Sequence, residues 1–339
     1  MPHANPIKLK RQQINAELWD ACVEQSNYPL HYGLSWYLDI VSPNWEGLVW
    51  LENEQYLAVM PLPIRKKWSV FKYIHQPLFC QLTGVWTQDE SLVPYFLEAI
   101  SRYFSYVVSL HSFNTTLSLD VNKSPYNPNL TTFKKLSNLF KSRSRVLKPD
   151  FSTSRLHTHT LNLHLPYETI QKHYSPDRKL NLKRALKENW QIKESTDIAP
   201  MIQLFRENTE HKIKGGVGEW AYLILENLYK ALNQRGLATL WYAIKEDKIE
   251  AGALFTIYKN RIIYLFNTAS QAGRTGNSRT LMIDKMIQEY ANKDFIFDFE
   301  SPDNELIVDF YKSFGAEEEA FLKLSYESRM IQFLKNIKT

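Results

Sequence analysis

The sequence predicts a mixed α/β (α+β) protein of two tandem domains, each a mixed sheet flanked by helices. Three observations carry that expectation. At 339 residues the chain exceeds one ordinary core, since domains run to roughly 150 residues. Its composition, 44% hydrophobic and 23% charged, supplies enough apolar surface to offset chain entropy. The order strand, strand, strand, helix, strand is read twice, from Leu48-Val49-Trp50 and again from Leu240-Trp241-Tyr242, an offset of 192 residues. A weak internal duplication explains the recurrence, with domains at 1–165 and 166–339 divided close to Pro166.

The elements follow in order. GLVWLENEQYLAVMPLPIRKK reads as two strands around a polar turn at 52–55, and FKYIHQPLFCQLTGVW as an aromatic strand-like run. SLVPYFLEAISRYF places Leu92, Tyr95, Phe96, Ala99, Ile100 and Tyr103 on one helical face; YVVSLHSF and TLSLDV are further strands. Residues 121–149 hold no Asp or Glu but carry Lys123, Lys134, Lys135, Lys141, Arg143, Arg145 and Lys148. RLHTHTLNLHLP alternates like a strand, and YETIQKHY and PDRKLNLKRALKENW read as helices, the second opened by Pro176 and Asp177. ATLWYAIKEDKIEAGALFTIY is a second strand pair, turning at 245–248, and RIIYLFNTAS a third strand. TLMIDKMIQEYA has Met282, Ile283, Met286, Ile287 and Tyr290 on one face, and FIFDFES is the strand after it.

Composition excludes several classes. A formal charge of +5 is too mild to name a partner, and two cysteines, Cys22 and Cys80, imply neither a disulfide framework nor a thiolate metal site. His157 and His159 share a strand face, but no third ligand stands at a usual spacing and His164 points the other way, so no metal is expected. MPHANPIKLKRQQ lacks the apolar core of a signal peptide, and no run of about 18 apolar residues occurs. The reading is a soluble, cytoplasmic protein without membrane insertion.

The chemistry-bearing stretch is NTASQAGRTGNSRTLMIDKMI, residues 267–287. A Walker loop begun at Gly273 fails at Ser278 and Arg279, where glycine and lysine are required, and Gly273 and Gly276 are too few for G-x-G-x-x-G. What remains is a helix N-terminus with outward amides, two flexible glycines and the charges of Arg274 and Arg279. An anion cradle and a capped surface turn are both open on these grounds.

The run Gln271-Ala272-Gly273-Arg274-Thr275-Gly276 resembles the acyl-CoA pyrophosphate loop, [QR]-x-x-G-x-[GA], of the GCN5-related N-acetyltransferase (GNAT) superfamily. Gln271 and Gly276 match it; Arg274 stands at the first glycine position, with Gly273 one place early. Tyr311, Gly315 and Ala316 match the Tyr-x-x-x-Gly-[FA] ending of that fold. The tandem order and SPDRKLNLKRALKENWQIKES, with Arg178, Asn181, Lys183, Arg184 and Ala185, resemble the Fem-type (FemAB-like) subgroup.

The resemblance implies mixed, mostly antiparallel sheets and an N-acyltransferase whose preferred donor is acetyl-CoA or another acyl-CoA. The donor would be held by Gln271, Gly273, Arg274, Thr275, Gly276, Asn277, Ser278 and Arg279 of the second domain. The first, with GVWTQDESL in place of that loop, would be degenerate and shape the groove for a small-molecule amine or peptidoglycan precursor. Asp298 and Glu300, opposite Phe297 and Phe299 by strand alternation, are the candidate bases, and Tyr311 the candidate acid for the leaving group. Arg178, Lys179, Lys183 and Arg184, with Lys214 of the glycine-rich loop 212–218, are expected to line a groove for a phosphorylated ligand. Two alternatives stand beside this reading: an aminoacyl-tRNA-dependent peptidoglycan-precursor transferase, and an inactive protein that binds an anionic ligand or nucleic acid.

Overall fold

A computed structural model describes residues 5–67, 71–115, 151–301 and 305–336; the basic segment at 121–149 and the strand expected at TLSLDV lie outside them. The chain opens with β1 (Ile7–Lys10) and α1 (Ala16–Gln25), where the Asn15 side chain accepts from the Glu17 and Leu18 amides and caps the helix. After α2 (Ser35–Val41), β2 (Glu46–Glu52) and β3 (Gln55–Leu62) make the expected hairpin. Its loop residues, Asn53 and Glu54, have φ of 48° and 62°, the left-handed pair that matches strand twist across a two-residue turn. β4 (Ile64–Lys67), β5 (Phe71–His75), β6 (Trp86–Thr87), α3 (Val93–Tyr103) and β7 (Tyr106–Ser112) follow. The run 71–86, expected as one strand, is strand only at its two ends. Pro77 removes a ladder donor, and the Gln76 amide donates to the Cys80 and Gln81 carbonyls, fixing the middle as a loop.

β8 (Ser152–Asn162) still precedes Pro166, and the second half then begins with α4 (Tyr167–Lys172), α5 (Pro176–Lys187), β9 (Gln191–Glu194), α6 (Ala199–Asn208) and α7 (Glu219–Gln234). β10 (Ala238–Lys245) and β11 (Lys248–Tyr258) repeat the first hairpin, with Glu246 and Asp247 at φ 50° and 58°. Then come β12 (Arg261–Ala269), α8 (Gln271–Thr275), α9 (Ser278–Tyr290), β13 (Ile296–Asp298), α10 (Glu305–Lys312), β14 (Glu317–Glu327) and α11 (Arg329–Asn336). Among the described residues no helix is long and apolar enough to cross a membrane.

Among the described residues ten strands form one sheet in the order β4-β5-β7-β14-β8-β13-β12-β11-β10-β9, and β1-β2-β3-β6 form another. The halves repeat in pairing as well as in order: β5 runs parallel to β7 and β12 parallel to β13, each pair followed by an antiparallel neighbour. The neighbours are exchanged. β14, last in the chain, pairs with β7 of the first half, while β8 pairs with β13 of the second, and β8 and β14 join each other.

Strand alternation sorts the second half's apolar side chains onto two faces. Trp241, Ala253, Phe255 and Ile262 belong to a core with Met282, Ile283, Met286 and Ile287 of α9 and Leu182 of α5. Leu240, Tyr242, Leu254 and Ile263 belong to another with α6 and α7, which continues into Trp19, Tyr32, Tyr37 and Trp45 of the first half. Each fully buried Leu, Ile or Phe there stabilises the fold by roughly 1.5–3 kcal/mol. The second face is therefore where the two halves meet.

Candidate active site between the two halves

β12 and β13 pair only as far as Ile263 opposite Asp298. The strand expected through FIFDFES stops there because Glu300 takes φ 48°, a left-handed conformation uncommon for a side-chain-bearing residue. β12 runs on to Ala269, so the two strands part. Tyr311 of α10 is buried at this opening, its ring 4.8 Å from Phe299 and 6.4 Å from Tyr264. Arg279 of α9 donates to Asn267 Oδ1 at 3.0 Å, which orients the Asn267 amide toward the Tyr311 hydroxyl. Burial pushes the Tyr311 phenol up to about 12, so it is a proton donor at neutral pH.

As alternation requires, Asp298 and Glu300 lie on the face turned to the first half. The Tyr32 hydroxyl donates to Glu300 Oε1 at 3.0 Å, the Gln81 backbone amide also donates to that carboxyl, and Gln81 Nε2 holds the Ser301 carbonyl at 2.9 Å. Burial, reinforced by the charge of Asp298, outweighs those donors and raises the Glu300 pKa well above the usual carboxylate range. Asp298 is differently placed. Its Oδ1 accepts from the Thr158 hydroxyl at 2.8 Å and the Glu300 amide at 2.9 Å, and its Oδ2 from Arg261 Nη1 at 2.9 Å. Both oxygens are engaged, so of the two candidate bases Asp298 is built as a positioning group.

Arg261, itself buried, also reaches Glu319 at 2.6 Å, and Tyr28 donates to the same carboxylate. One guanidinium thus faces two carboxylates. His31 packs within 4.5–4.9 Å of Tyr32 and Tyr37, and burial lowers its pKa to about 3. A histidine depressed on folding contributes stability that is present above its unfolded pKa, near 6.5, and is lost as pH falls. His31→Gln is expected to reduce the stability lost between pH 6.5 and pH 5 by about 2 kcal/mol. Urea unfolding at the two pH values measures this, and equal losses in both proteins would refute it.

The 270–279 stretch is not an open glycine loop. Ser270 caps the one-turn helix α8 through the Gly273 amide, and Asn277 at φ 55° starts α9. A Cβ on Gly273 would stand 2.2 Å from the Glu250 carbonyl, and one on Gly276 2.5 Å from the Trp190 ring, whose Nε1 donates to the Gly276 carbonyl. The expectation that these glycines admit a pyrophosphate is corrected: they admit Glu250 and Trp190 of their own chain. Gln271 and Thr275 are exposed on the other side of the turn. Ser278 is buried, its hydroxyl donating to the Gly273 carbonyl at 2.9 Å, and Arg274 donates to the Ala269 carbonyl.

The groove expected from the basic residues is also corrected. Arg178 is buried, with its guanidinium 4.1 Å and 4.5 Å from the Phe310 and Phe314 rings and hydrogen bonds to Ser313 and Thr280. It is a structural cation joining α5, α9 and α10, and burial pushes its pKa down to about 10. Lys179, Lys183 and Arg184 are exposed on α5, which packs on α9, whereas Lys214 precedes α7 on the opposite face of the sheet. The sheet separates them because α5 and α7 bury their apolar stripes against different faces.

Sequence reasoning missed the first-half contributors, Tyr28, Tyr32 and Gln81, and the pair Arg261 and Glu319. Tyr32 is 268 residues from Glu300, beyond any local spacing rule. The density of aromatic residues between Tyr28 and Tyr37 was the available signal.

Residues 177–313 match the family described as "Acetyltransferase (GNAT) domain". No curated protein sequence matches the chain at a significant level. The crystal structure of FemX is similar with a TM-score of 0.63 at 13% identity, over 97% of this chain and 99% of that one. A conserved protein of unknown function from Bacteroides thetaiotaomicron is similar with a TM-score of 0.56 at 8% identity, over 93% and 98%. At these identities the likeness establishes the fold.

Proposed function

We infer, from the match of residues 177–313 to the GNAT acetyltransferase domain and the fold shared with FemX, that this chain acylates an amine with an acyl-CoA. In this reading residues 166–339 bind the donor and residues 1–165 shape the acceptor side. One observation carries it: Glu300, a carboxyl of strongly raised pKa, is held by Tyr32 of the first half where β12 and β13 part. A base that must take a proton from an ammonium works best with a pKa raised toward neutrality.

The acceptor ammonium gives one proton to Glu300, its nitrogen forms the C–N bond to the thioester carbonyl carbon, and the C–S bond breaks. Tyr311 protonates the leaving thiolate and is restored by the second proton of the nitrogen. Glu300 releases its proton to solvent. Asp298 positions Glu300 through the Glu300 amide, and Asn267 with Arg279 positions Tyr311.

The donor pyrophosphate is assigned to the exposed side of the 271–279 turn, near Arg274, Arg279 and the first amides of α9. Thr275→Glu places a carboxylate there without touching the packing of Gly273 or Gly276. It is expected to weaken acetyl-CoA binding at least tenfold in calorimetry with an unchanged melting temperature. Wild-type affinity in the variant would refute the assignment. The packed glycines favour a second reading, with aminoacyl-tRNA as donor. Incubation with labelled acetyl-CoA and, separately, with charged tRNA, each with cell extract, decides between them.

A further inference from the structure

We propose that the acceptor is a primary ammonium carried on an apolar body, bound in the cleft between Tyr28 and Glu319; this rests on the acyltransferase reading. The cleft has a volume of about 320 Å³ and lies between the two halves. Its roof, Tyr28, Leu82, Phe113 and Thr115, comes from the first half, and its floor, Thr158, Glu319 and Phe321, from β8 and β14. Thr158 and Glu319 stand opposite each other in the antiparallel register, so both side chains rise from the same face.

Three properties select the ligand. The walls are aromatic and apolar: Tyr28 and Phe113 stack with centroids 4.8 Å apart, and Phe321 and Leu82 close the remaining sides. The polar end favours a cation, since among the described residues Arg261 alone pairs with Asp298 and Glu319, and Glu319, 29% exposed, is the carboxylate that reaches the cleft. Faced by aromatic rings as well, an ammonium there gains from both charge and ring quadrupole, while a carboxylate meets repulsion.

The cleft also leads to the proposed base. The Thr158 hydroxyl on its floor donates to Asp298 and accepts from the Ser301 amide at 3.2 Å, so the floor and the Glu300–Ser301 backbone form one hydrogen-bonded unit. Gln81, next to Leu82 of the roof, donates to the Ser301 carbonyl. An amine seated at Glu319 is thereby adjacent to the segment that carries Glu300. The volume suits a side-chain-sized amine rather than a nucleotide-linked one.

The test is calorimetry on the full chain without any acyl donor, using phenethylammonium, n-butylammonium and 3-phenylpropionate. Phenethylammonium is expected to bind most tightly and phenylpropionate not at all. Glu319→Gln should weaken the ammonium at least tenfold. Leu82→Trp, which leaves the named polar contacts in place and enlarges an apolar side chain of the roof, should abolish binding, with circular dichroism melts verifying that both variants fold. Binding of neither amine, equal binding of phenylpropionate, or amine binding unchanged by Leu82→Trp would overturn the proposal. Calorimetry without a donor tests the cleft alone; amine binding followed by no transfer to any acceptor when labelled acetyl-CoA or charged tRNA is then supplied would refute the acyltransferase reading and leave the cleft standing. Transfer to other acceptors without amine binding would do the reverse.

Discussion

Glu300→Gln is expected to lower acyl transfer by about 10²–10⁴-fold at saturating donor, the usual contribution of a general base, with acetyl-CoA affinity unchanged. The same variant should be more stable than the wild type at about pH 8, and the sign follows from linkage. Burial raises the Glu300 pKa above its unfolded value, so the stability tied to its protonated form is present at low pH and lost as pH rises through the folded pKa. The side-chain amide introduced by Glu300→Gln does not titrate, keeps a partner for Tyr32, and escapes that loss. The measurements are single-turnover rates and melting curves at pH 5 and pH 8. An inactive variant with no gain at pH 8 would place Glu300 in the fold's support, and an active one would remove it from the chemistry.

The dependence of rate on pH separates Glu300 from Tyr311. A base must be unprotonated, so the rate should rise with pH through the Glu300 pKa, and this limb should vanish in Glu300→Gln. Tyr311 must be protonated, which burial ensures up to about 12, so no falling limb is expected near neutrality.

Arg261→Met should destabilise the protein by about 3–5 kcal/mol, the cost of stranding buried carboxylates without their cation. Asp298 is 3% exposed in its side chain and would lose Arg261 Nη1, while among the described residues Glu319 would retain only Tyr28. Arg261→Lys restores the charge but not the fork that reaches both carboxylates, so an intermediate loss is expected. Urea denaturation of the three proteins checks the order. A loss below about 1 kcal/mol for Arg261→Met would mean that the cluster is hydrated and that the polarity assigned to the cleft is mistaken.

The local elements were legible because they repeat a short period or a turn chemistry. The polar pairs Asn53-Glu54 and Glu246-Asp247 were read as turns and take left-handed conformations, and Met282, Ile283, Met286 and Ile287 were read on one face and are buried together. The alternation that set Asp298 and Glu300 against Phe297 and Phe299 held, although β13 is shorter than expected because Glu300 leaves the sheet. The 71–86 run failed for an equally local reason, since Pro77 and the Gln76 side chain compete with the ladder.

The candidate site was legible only in its second-half members. Tyr311 and Glu300 stood out by chemical type and place in a recognisable order, but Tyr28 and Tyr32 have no signature of their own. Gly273, Gly276 and Arg178 were noticed for the right property and given the wrong partner. A missing Cβ signals close approach, and a guanidinium signals something to grip; neither says whether the neighbour is a ligand or another part of the same chain.

By itself the sequence determined two repeated α/β halves, their hairpins and helical faces, and the likeness to an acyltransferase family. Those follow from side-chain periodicity and turn stereochemistry, which act over a few residues. Only the tertiary structure decided that β8 and β14 exchange partners, that Arg178 and Lys214 lie on opposite sides of the sheet, and that Glu300 meets Tyr32. Those outcomes depend on which apolar faces bury each other across hundreds of residues, and the period of a pattern specifies a face without naming its partner.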